Sequence, residues 1–372
     1  MLINVLLFQV DDLRKVKNID YIRLDNFIRY LTVQDDENDI SEPEQEHDSC
    51  NGTNGYSRMN GGPFKYSSTN GIMNGMPASA SADIFELLSI YSTRPIVNEI
   101  FKYSRNEKPA IRIASWNLDD FSIEKVSNFG VKEVVCRTLL ENGWSIVAVQ
   151  NVECDVCLKM ICDELNKPKL HRVQEWKNNS RHWKFETYTL LGTKLGFIYD
   201  ARGANNIKLI SAEKGPPELD FFCESILANF EIENTKVQIL NVIVKYQHQS
   251  NLQEVQYHFQ KLMNFDTNYS ICGDFGELMN KIEILTDLEN SKLVLPVNLL
   301  KHHSNSTTNF AKQCTSNFLL NTKFQKYLTG MHGIVRQGLT HLAIPLGWRW
   351  GGPASSYSPI WVEFFVNSEL NM

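Results

Sequence analysis

The hydrophobic pattern changes twice along the chain and divides it into three parts. In residues 9–33, apolar residues recur every three to five positions, which is typical of two short amphipathic helices joined by a tight turn. Residues 34–82 contain few apolar residues, whereas residues 109–368 alternate β-prone apolar runs with helix-spaced segments. The pattern predicts a small helical module, a linker and one large domain that contains both helices and strands.

The large domain, residues 109–368, is predicted to consist of buried strands covered by amphipathic helices. Five apolar runs have the length of strands: 111–116, 145–150, 195–199, 237–244 and 268–272. Two other segments place apolar residues three and four positions apart, as on one face of a helix: 131–142 and 252–265. Long β runs with intervening helices predict a layered α/β sandwich with buried sheets.

The predicted linker, residues 34–108, begins with the composition of a chain that does not fold. Residues 35–48 hold eight acidic residues and no Lys or Arg, and five Asn-Gly pairs follow at positions 51, 54, 60, 70 and 74. Asn-Gly favours turns, and so few apolar residues do not offset the entropy lost on ordering the backbone. We expect a largely disordered linker whose acidic run is a solvated spacer rather than a binding tail, with a brief amphipathic segment at Asp83–Tyr91.

The charge of the chain argues against a domain that holds DNA firmly by its phosphates. Residues 1–108 carry 11 Lys/Arg against 16 Asp/Glu, and residues 109–372 carry 26 against 27. Neutralisation of phosphates supplies most of the affinity of such proteins, and they usually have a clear positive excess. A net charge near zero does not exclude a local basic groove within this domain.

The eight cysteines do not form the pattern of a structural zinc site. Cys154 and Cys157 form one CxxC pair, and Cys162 follows five residues later. A structural zinc site usually takes four ligands from two such pairs, and the sequence has no second pair. We therefore favour reduced thiols in a cytosolic or nuclear protein over a zinc site.

The first residues predict neither membrane insertion nor lipid attachment. The apolar start, residues 1–8, lacks a basic flank and a cleavage site, and it is too short to span a membrane. Leu2 follows Met1, so the Gly needed for N-myristoylation at residue 2 is absent. We expect an intracellular protein, nuclear or cytoplasmic, without a transmembrane segment.

Two apolar runs end in a polar residue that is able to bind or orient a ligand. Residues 111–116 are followed by Asn117, and residues 269–273 are followed by Asp274. Side chains at the ends of buried strands commonly meet at one edge of a sheet. Asn117 and Asp274 are therefore candidate site residues, and the family resemblance described next implies a catalytic role for both.

These motifs resemble those of the endonuclease/exonuclease/phosphatase superfamily over roughly residues 110–366. Further stretches that carry the resemblance are Tyr91–Pro95, Val131–Asn142, Gly143–Gln150, Val335–Thr340 and 348–352. The resemblance implies a DNase I-like, four-layer α/β sandwich and Mg²⁺-dependent phosphodiester or phosphate-ester hydrolysis. It also implies a link to DNA repair and, in one subfamily, helix-hairpin-helix repeats ahead of the catalytic-type domain.

Measured against that resemblance, the chain lacks several residues of the catalytic set. Asn117 is retained, but Asn151 stands where the family has the Glu that binds the metal. An amide oxygen brings no charge to Mg²⁺, so the electrostatic part of binding is lost. Ile243 stands in place of a His, and Ile can neither donate nor accept a proton.

The remaining motifs differ from the family in a similar way. Asp274 is retained, and Gly276 replaces an Asn, a difference that closer relatives are expected to share. Ser356 and Tyr357 replace an Asp and an essential His, and Ser316 replaces the upstream Asp that partners this His. With an unperturbed pKa near 10, Tyr is a poor general acid or base at neutral pH.

Glu153 is the one nearby carboxylate that could substitute for the missing metal ligand. It would share a face with residue 151 only if the strand continued, and the apolar spacing after residue 154 predicts a helix instead. We therefore expect no bound metal, and Mg²⁺ only if a residual activity survives.

The helical module resembles part of a helix-hairpin-helix repeat, which binds DNA phosphates through backbone N–H groups. The Gly-X-Gly positions of such a hairpin read Asn18-Ile19-Asp20. Asn tolerates left-handed backbone, but Asp20 would place a carboxylate near a phosphate. Weak DNA binding through Lys15, Lys17 and Asn18 therefore stays open.

Three functions follow as hypotheses. The first is a catalytically degenerate binding or scaffold protein with a protein partner, which the changed residues favour. The second is a residual metal-dependent phosphodiesterase that uses Asp274 and Asn117. The third is a protein that tethers DNA weakly through the helical module, with salt-sensitive binding.

Overall fold

The computed structural model describes residues 78–366, with gaps at 98, 179, 190–193, 204–205, 246–251, 282, 296–313 and 348. The described residues 78–346 and 350–366 form one compact unit. The predicted helical module at 9–33, with Lys15, Lys17 and Asn18, lies outside the described residues, and so does the predicted linker up to residue 77.

The first sheet contains the strand that ends near Asn117. Its strands are β1 (Ser104–Arg105), β2 (Lys108–Phe121), β3 (Ile146–Val152), β4 (Trp183–Thr189), β5 (Lys194–Asp200), β12 (Leu328–Ile334) and β15 (Ile360–Phe365). The order is β12-β15-β2-β3-β5-β4, with β1 paired to β2. β2 and β3 are parallel, with Asn117 beside Gln150, and the other pairs are antiparallel.

The second sheet contains the strand that ends at Asp274. Its strands are β6 (Ile207–Lys214), β7 (Cys223–Ile232), β8 (Thr235–Val244), β9 (Tyr269–Asp274), β10 (Ser291–Leu293) and β11 (Ser316–Asn321). The order is β10-β11-β9-β8-β7-β6, and only the β8–β9 pair is parallel among these described strands. Two short strands, β13 (Pro345–Leu346) and β14 (Arg349–Trp350), belong to neither sheet.

The longer described helices lie on the outer faces of the two sheets. The described α-helices are α1 (Ala78–Tyr91), α2 (Ile123–Ser127), α3 (Phe129–Glu141), α4 (Asp155–Asn166), α5 (His171–Gln174), α6 (Leu252–Met263), α7 (Glu283–Thr286) and α8 (Thr322–Gln325). Short 3₁₀ helices occur at Pro217–Leu219 and Gly276–Lys281. None of the described helices combines the length and the apolar character needed to cross a membrane.

Three apolar clusters separate the layers and confirm the predicted four-layer sandwich. Along β2, Ile111 and Ile113 face the second sheet, whereas Ala114 and Trp116 face the helices, because side chains alternate along a strand. Apolar residues of α2 to α5 pack on the outer face of the first sheet. Residues of α6 pack in the same way on β8 and β9. The order of layers is α, β, β, α.

The described compact unit includes residues that precede the predicted domain boundary at residue 109. Helix α1 contains the predicted amphipathic segment Asp83–Tyr91, and buried Phe85 joins the cluster between α3 and the first sheet. The hydroxyl of Ser89 donates to the Glu133 carboxylate at 2.7 Å, and Arg94 pairs with Glu141 at 2.7 Å. These long-range contacts hold a segment whose own composition predicts little structure.

Candidate functional site

The two retained residues meet at the edge where the parallel strands of both sheets end. The side-chain amide of Asn117 donates to Asp274 Oδ2 at 2.6 Å. Both side chains are buried, with 1% and 5% of their surface exposed. The hydrogen bond links β2 of the first sheet to β9 of the second, so the predicted pairing of these strand ends is present in the structure.

Asn151 completes a chain of three side chains at this edge. Its amide donates to Asn117 Oδ1 at 2.9 Å, and the backbone N–H of Asp119 donates to the same oxygen at 2.9 Å. Asn151 has a left-handed backbone, with φ of 57°, and the β3 register shifts around it. Asn tolerates this backbone better than most residues. The amide therefore joins an internal hydrogen-bond network.

Asp274 is held by its own strand end as well as by Asn117. Its Oδ1 accepts the backbone N–H of Gly276 at 2.9 Å. Gly273, just before it, has φ of 148°, and a Cβ there would lie 1.9 Å from the Val242 carbonyl oxygen. This glycine lets β8 and β9 approach closely, which sets the position of the carboxylate.

Two of the substituted positions are the cross-strand neighbours of Asp274. Ser316 on β11 lies opposite it in the antiparallel pair, and Ile243 on β8 lies beside it in the parallel pair. Both side chains are buried, with Ile243 8% exposed and Ser316 1% exposed. The structure therefore places these replacements next to the retained carboxylate, as the motifs predict.

The loop before β15 brings the other substituted positions to the same edge. The Ser355 hydroxyl donates to the Asn117 carbonyl oxygen at 2.7 Å and accepts the Tyr357 N–H at 3.1 Å. The indole N–H of Trp116 donates to the Tyr357 carbonyl oxygen at 3.0 Å. Ser355 and Trp116 thus fix the loop on β2, and Tyr357 is presented at the site in a half-buried position.

Sequence reasoning missed Asp119 as a member of this site. Its Oδ2 accepts the Ser356 hydroxyl at 2.6 Å and the Ser356 N–H at 3.3 Å. Asp119 and Asp120 both have left-handed backbones, with φ of 55° and 48°. An Asp-Asp pair two residues after Asn117 was the available signal, since Asp is one of the residues that enter the left-handed region most readily.

A buried lysine stabilises the turn at Asp119 and Asp120 through its backbone carbonyl oxygens. The Lys125 amine donates to the Leu118 carbonyl oxygen at 2.8 Å and also to the Asp119 carbonyl oxygen. Only 1% of Lys125 is exposed, and burial lowers its pKa to about 8, against the raising effect of the Asp119 and Asp120 carboxylates. The lysine therefore acts on the backbone of the turn.

Tyr357 is a proton donor at this edge rather than a base. Burial raises its pKa above the ordinary value of 10, and the carboxylates of Asp274, Asp119 and Asp120 raise it further. At neutral pH the phenol stays protonated and can donate a hydrogen bond. The three carboxylates that act on it also make the edge electrostatically negative, which disfavours a phosphate.

Glu153 lies outside the hydrogen-bond network that contains Asn117, Asn151 and Asp274. Strand β3 ends at Val152, and the Glu153 carboxylate accepts the N–H of Ile123 at 3.0 Å. The left-handed turn at Asn151 breaks the alternation of side chains that would have placed Glu153 on the same face. Its carboxylate lies beside the thiols of Cys154 and Cys157 instead.

The side chains at this edge do not fit the Mg²⁺ ion that the family resemblance implies. Mg²⁺ prefers carboxylate oxygens and an octahedral shell. Here the Asp274 carboxylate accepts two N–H groups. The position where the family resemblance implies a metal-binding Glu is the neutral Asn151, whose amide donates to Asn117. Among the described residues, the one group of three converging metal-ligating side chains is Glu153, Cys154 and Cys157.

Comparison with known sequences finds a set of similar curated proteins, whereas no family model matches the chain. Each is named "Endonuclease/exonuclease/phosphatase family domain-containing protein 1". The Xenopus laevis protein is 29% identical over 301 residues, which is 75% of this chain and 54% of that protein. The Homo sapiens protein is 28% identical over 306 residues, which is 75% of this chain and 53% of that protein. The Danio rerio protein is 30% identical over 306 residues, 75% and 54%.

Solved structures of low sequence identity are also similar to the chain. The endonuclease/exonuclease/phosphatase from Bacteroides vulgatus is 12% identical with a TM-score of 0.47, over 70% of this chain and 100% of that one. Danio rerio TDP2 complexed with single strand DNA product is 16% identical with a TM-score of 0.45, over 69% and 99%.

The sequence comparison confirms the resemblance that the strand-end motifs predict. The chain spans about half the length of the curated relatives it matches. The matches share one family name across a frog, a fish and a mammal. The chain is therefore a homologue of the endonuclease/exonuclease/phosphatase family proteins.

Proposed function

We propose that the chain is a non-catalytic binding or scaffold protein built on a nuclease-type fold. The main support for this proposal is the network Asn151–Asn117–Asp274, in which side chains at the family's catalytic positions hydrogen-bond to each other. A catalytic edge instead keeps such groups available for a metal ion, a water and a phosphate. The network supports a structural role for these residues.

The proton chemistry of the edge supports the same proposal. Hydrolysis of a phosphate ester at neutral pH needs a base for the attacking water and a donor for the leaving group. Ile243 cannot transfer a proton, and burial and nearby carboxylates raise the pKa of Tyr357. Loss of one acid–base group typically costs about 10²–10⁴-fold in rate, and several positions are changed together.

The charge of the edge argues against binding a phosphate there. The groups that raise the Tyr357 pKa are Asp274, Asp119 and Asp120, all of them carboxylates. The buried Lys125 faces backbone carbonyl oxygens of the turn. A phosphate at this edge would meet like charge in a site of low dielectric, where repulsion is strong. A protein partner is therefore favoured over a nucleic acid at this surface.

Weak DNA binding through Lys15, Lys17 and Asn18 stays a separate proposal that rests on the family resemblance and its link to DNA repair. It predicts binding that weakens steeply with salt and is lost when Lys15 and Lys17 are changed to Glu. We also place the protein in the nucleus or cytoplasm, because the cysteines from 136 to 314 are free thiols, as in reducing compartments.

One observation favours a second candidate, a residual metal-dependent phosphodiesterase. Asp119 places a carboxylate against Ser356, the position where the family resemblance implies an Asp. This oxygen lies at the same edge as Asp274. A shifted carboxylate of this kind could rebuild part of a metal site.

A hydrolysis assay separates the two candidates. Single-stranded DNA, branched DNA and a phosphoinositide are each incubated with the full chain and either Mg²⁺ or Mn²⁺. The scaffold proposal predicts the same background for wild type and Asp274→Ala. Metal-dependent turnover that is lost in both Asp274→Ala and Asp119→Ala, but kept in the exposed control Asp163→Ala, would overturn it in favour of the second candidate.

A further inference from the structure

Three metal-ligating side chains converge just beyond the end of β3, outside the candidate site. Glu153, Cys154 and Cys157 place a carboxylate oxygen and two Sγ atoms within 4.8 Å of one another. The two sulfur atoms are 3.6 Å apart. Glu153 is exposed, Cys154 is partly exposed and Cys157 is fully buried, so the group is open to solvent on one side.

We propose that Glu153, Cys154 and Cys157 bind one thiophilic divalent cation of the Zn²⁺ class, with a fourth position open to water or another ligand. The two thiols would release their protons to solvent on binding, because the thiolate is the ligand. Two sulfurs and one carboxylate favour a borderline-soft ion over Mg²⁺ or Ca²⁺. Three protein ligands with one open position is a known zinc arrangement.

The separation of the two sulfur atoms is close to that of two thiolates bound to one tetrahedral ion. A Zn–S bond of about 2.3 Å gives an edge between two sulfurs of about 3.8 Å in a regular tetrahedron. The observed 3.6 Å is close to this value. A disulfide would instead require the sulfurs to approach to about 2.05 Å. The present geometry is therefore nearer to a chelate than to a disulfide.

The backbone around the three ligands is held in place before any ion binds. The Glu153 N–H donates to the Phe121 carbonyl oxygen at 3.1 Å, which fixes residue 153 against β2. Its Oε2 accepts the Ile123 N–H at 3.0 Å, which orients the carboxylate. The Cys157 N–H donates to the Cys154 carbonyl oxygen at 3.1 Å and sets the first turn of α4.

The sequence pattern alone does not indicate this site. A CxxC pair without a second pair lacks the four ligands of a structural zinc site. The third ligand is identified by the structure, because β3 ends at Val152 and the Glu153 carboxylate lies beside the two thiols. The same turn that removes Glu153 from the hydrogen-bond network at Asn117 thus supplies the third ligand here.

A titration with Cd²⁺ tests the proposal, because Cd²⁺ replaces Zn²⁺ and its thiolate bonds absorb in the ultraviolet. The full chain is reduced, freed of metal and titrated, and Zn²⁺ affinity is then measured by competition with a chromophoric chelator. We expect one equivalent of Cd²⁺ with thiolate absorption, displaced by Zn²⁺. Zn²⁺, but not Mg²⁺, should raise the unfolding temperature.

Single substitutions identify the ligands. Cys154→Ser and Cys157→Ser should each lower the affinity by at least about 100-fold, and Glu153→Gln by about tenfold. Cys162→Ser, a thiol of the same helix outside the group, is the matched control and should leave the stoichiometry unchanged. Circular dichroism confirms folding, and Cys154→Ser is the decisive variant because Cys154 is only partly buried.

Two outcomes would overturn the proposal. One is that the reduced wild-type chain binds no Cd²⁺, or that the Cys154→Ser variant binds Cd²⁺ with undiminished thiolate absorption. The other is an air-purified chain in which mass spectrometry finds a Cys154–Cys157 disulfide and which, once reduced, has no affinity for Zn²⁺. The second result would assign the pair to redox chemistry instead.

Discussion

Two buried polar clusters of this molecule have opposite chemistry. Between the α1 segment and α3, Arg94 pairs with Glu141 at 2.7 Å, and Arg137 pairs with Glu141 at 2.8 Å and with Glu133 at 3.2 Å. At the candidate site, the Asn151 amide donates to Asn117 Oδ1, and the Asn117 amide donates to the carboxylate of Asp274. The first cluster is fully ionic, whereas the second joins two neutral amides to one carboxylate.

The comparison separates the charged residues that stabilise the fold from the residues at the positions where a relative would bind a metal ion. In the ionic cluster each charge has a partner of opposite charge, and the Arg94 guanidinium also donates to the Thr138 hydroxyl at 3.2 Å. Buried charges are tolerated only when they are paired and hydrogen-bonded in this way. In the candidate site, the position where the family resemblance implies the metal-binding Glu is occupied by the neutral Asn151. The cluster that anchors α1 keeps its charges.

The largest effect is expected when the ionic cluster is broken at its centre. Glu141→Ala should lower the free energy of unfolding by about 3–5 kcal/mol, because it leaves Arg94 buried without its main counter-charge. Urea unfolding followed by circular dichroism measures this loss. Asp163→Ala removes an exposed pair with Lys159 and should cost less than about 1 kcal/mol. Equal losses in the two variants would contradict the account.

The next effect is a loss of stability on acidification, which arises beside the ionic cluster. His341 is buried and stacked on Phe85, and burial lowers its pKa to about 4, with Arg137 and Arg94 lowering it further. The unfolded chain binds this proton near pH 6.5, before the folded chain does. The stabilisation is therefore present above about pH 6.5 and is lost as the pH falls towards 4.

The expected loss from His341 is about 3 kcal/mol at pH 4, from the relation between pKa shift and unfolding free energy. Urea unfolding at intervals from pH 7 to pH 4 measures it, with His341→Asn as the comparison. The histidine contribution is the part of the acid-dependent loss that disappears in this variant. An identical pH dependence in both proteins would show that His341 is not held neutral.

A smaller effect is expected when the neutral amide of Asn117 is replaced by a carboxylate. Asn117→Asp would place a second carboxylate against Asp274 Oδ2, where the amide now donates at 2.6 Å. Two carboxylates at this distance cannot both ionise without cost, so stability at neutral pH should fall by about 2 kcal/mol. Asn264→Asp, an exposed position, is the control.

The pH dependence of Asn117→Asp sharpens the comparison further. The carboxyl pair should share a proton at low pH, so the loss relative to wild type should shrink as the pH falls. If added Mg²⁺ restored the stability of the variant, one extra charge would be enough to rebuild a cation site. A variant as stable as wild type at every pH would contradict the close contact between residues 117 and 274.

The buried strands and the polar residues that follow their apolar runs could be predicted from the sequence, because strand burial leaves a local signature. Ile111 and Ile113 alternate with Ala114 and Trp116 between two apolar clusters, and such a strand reads as a nearly continuous apolar run. The polar residue that ends each buried run then lies at the edge of its sheet. The family resemblance, rather than this local pattern, implied that Asn117 and Asp274 belong to one site.

The remainder could not be predicted, because it depends on contacts between distant residues. Asp119 enters the site through a left-handed turn and a hydrogen bond to Ser356, 237 positions away. Helix α1 is anchored by Ser89 and Arg94 on α3, more than 40 positions away. Glu153 faces two thiols only because Asn151 interrupts the strand. None of these contacts has a periodic signature.

The most direct test of the central claim is a Mn²⁺ titration of the full chain followed by the electron paramagnetic resonance signal of free Mn²⁺. Cys154→Ser serves as the background, so that the proposed thiolate site does not contribute. Because the Asn151–Asn117–Asp274 network lacks the charge of a metal site, this chain and the same chain with Asp274→Ala should bind equally little Mn²⁺. One equivalent of Mn²⁺ bound in the background chain and lost with Asp274→Ala would contradict the claim.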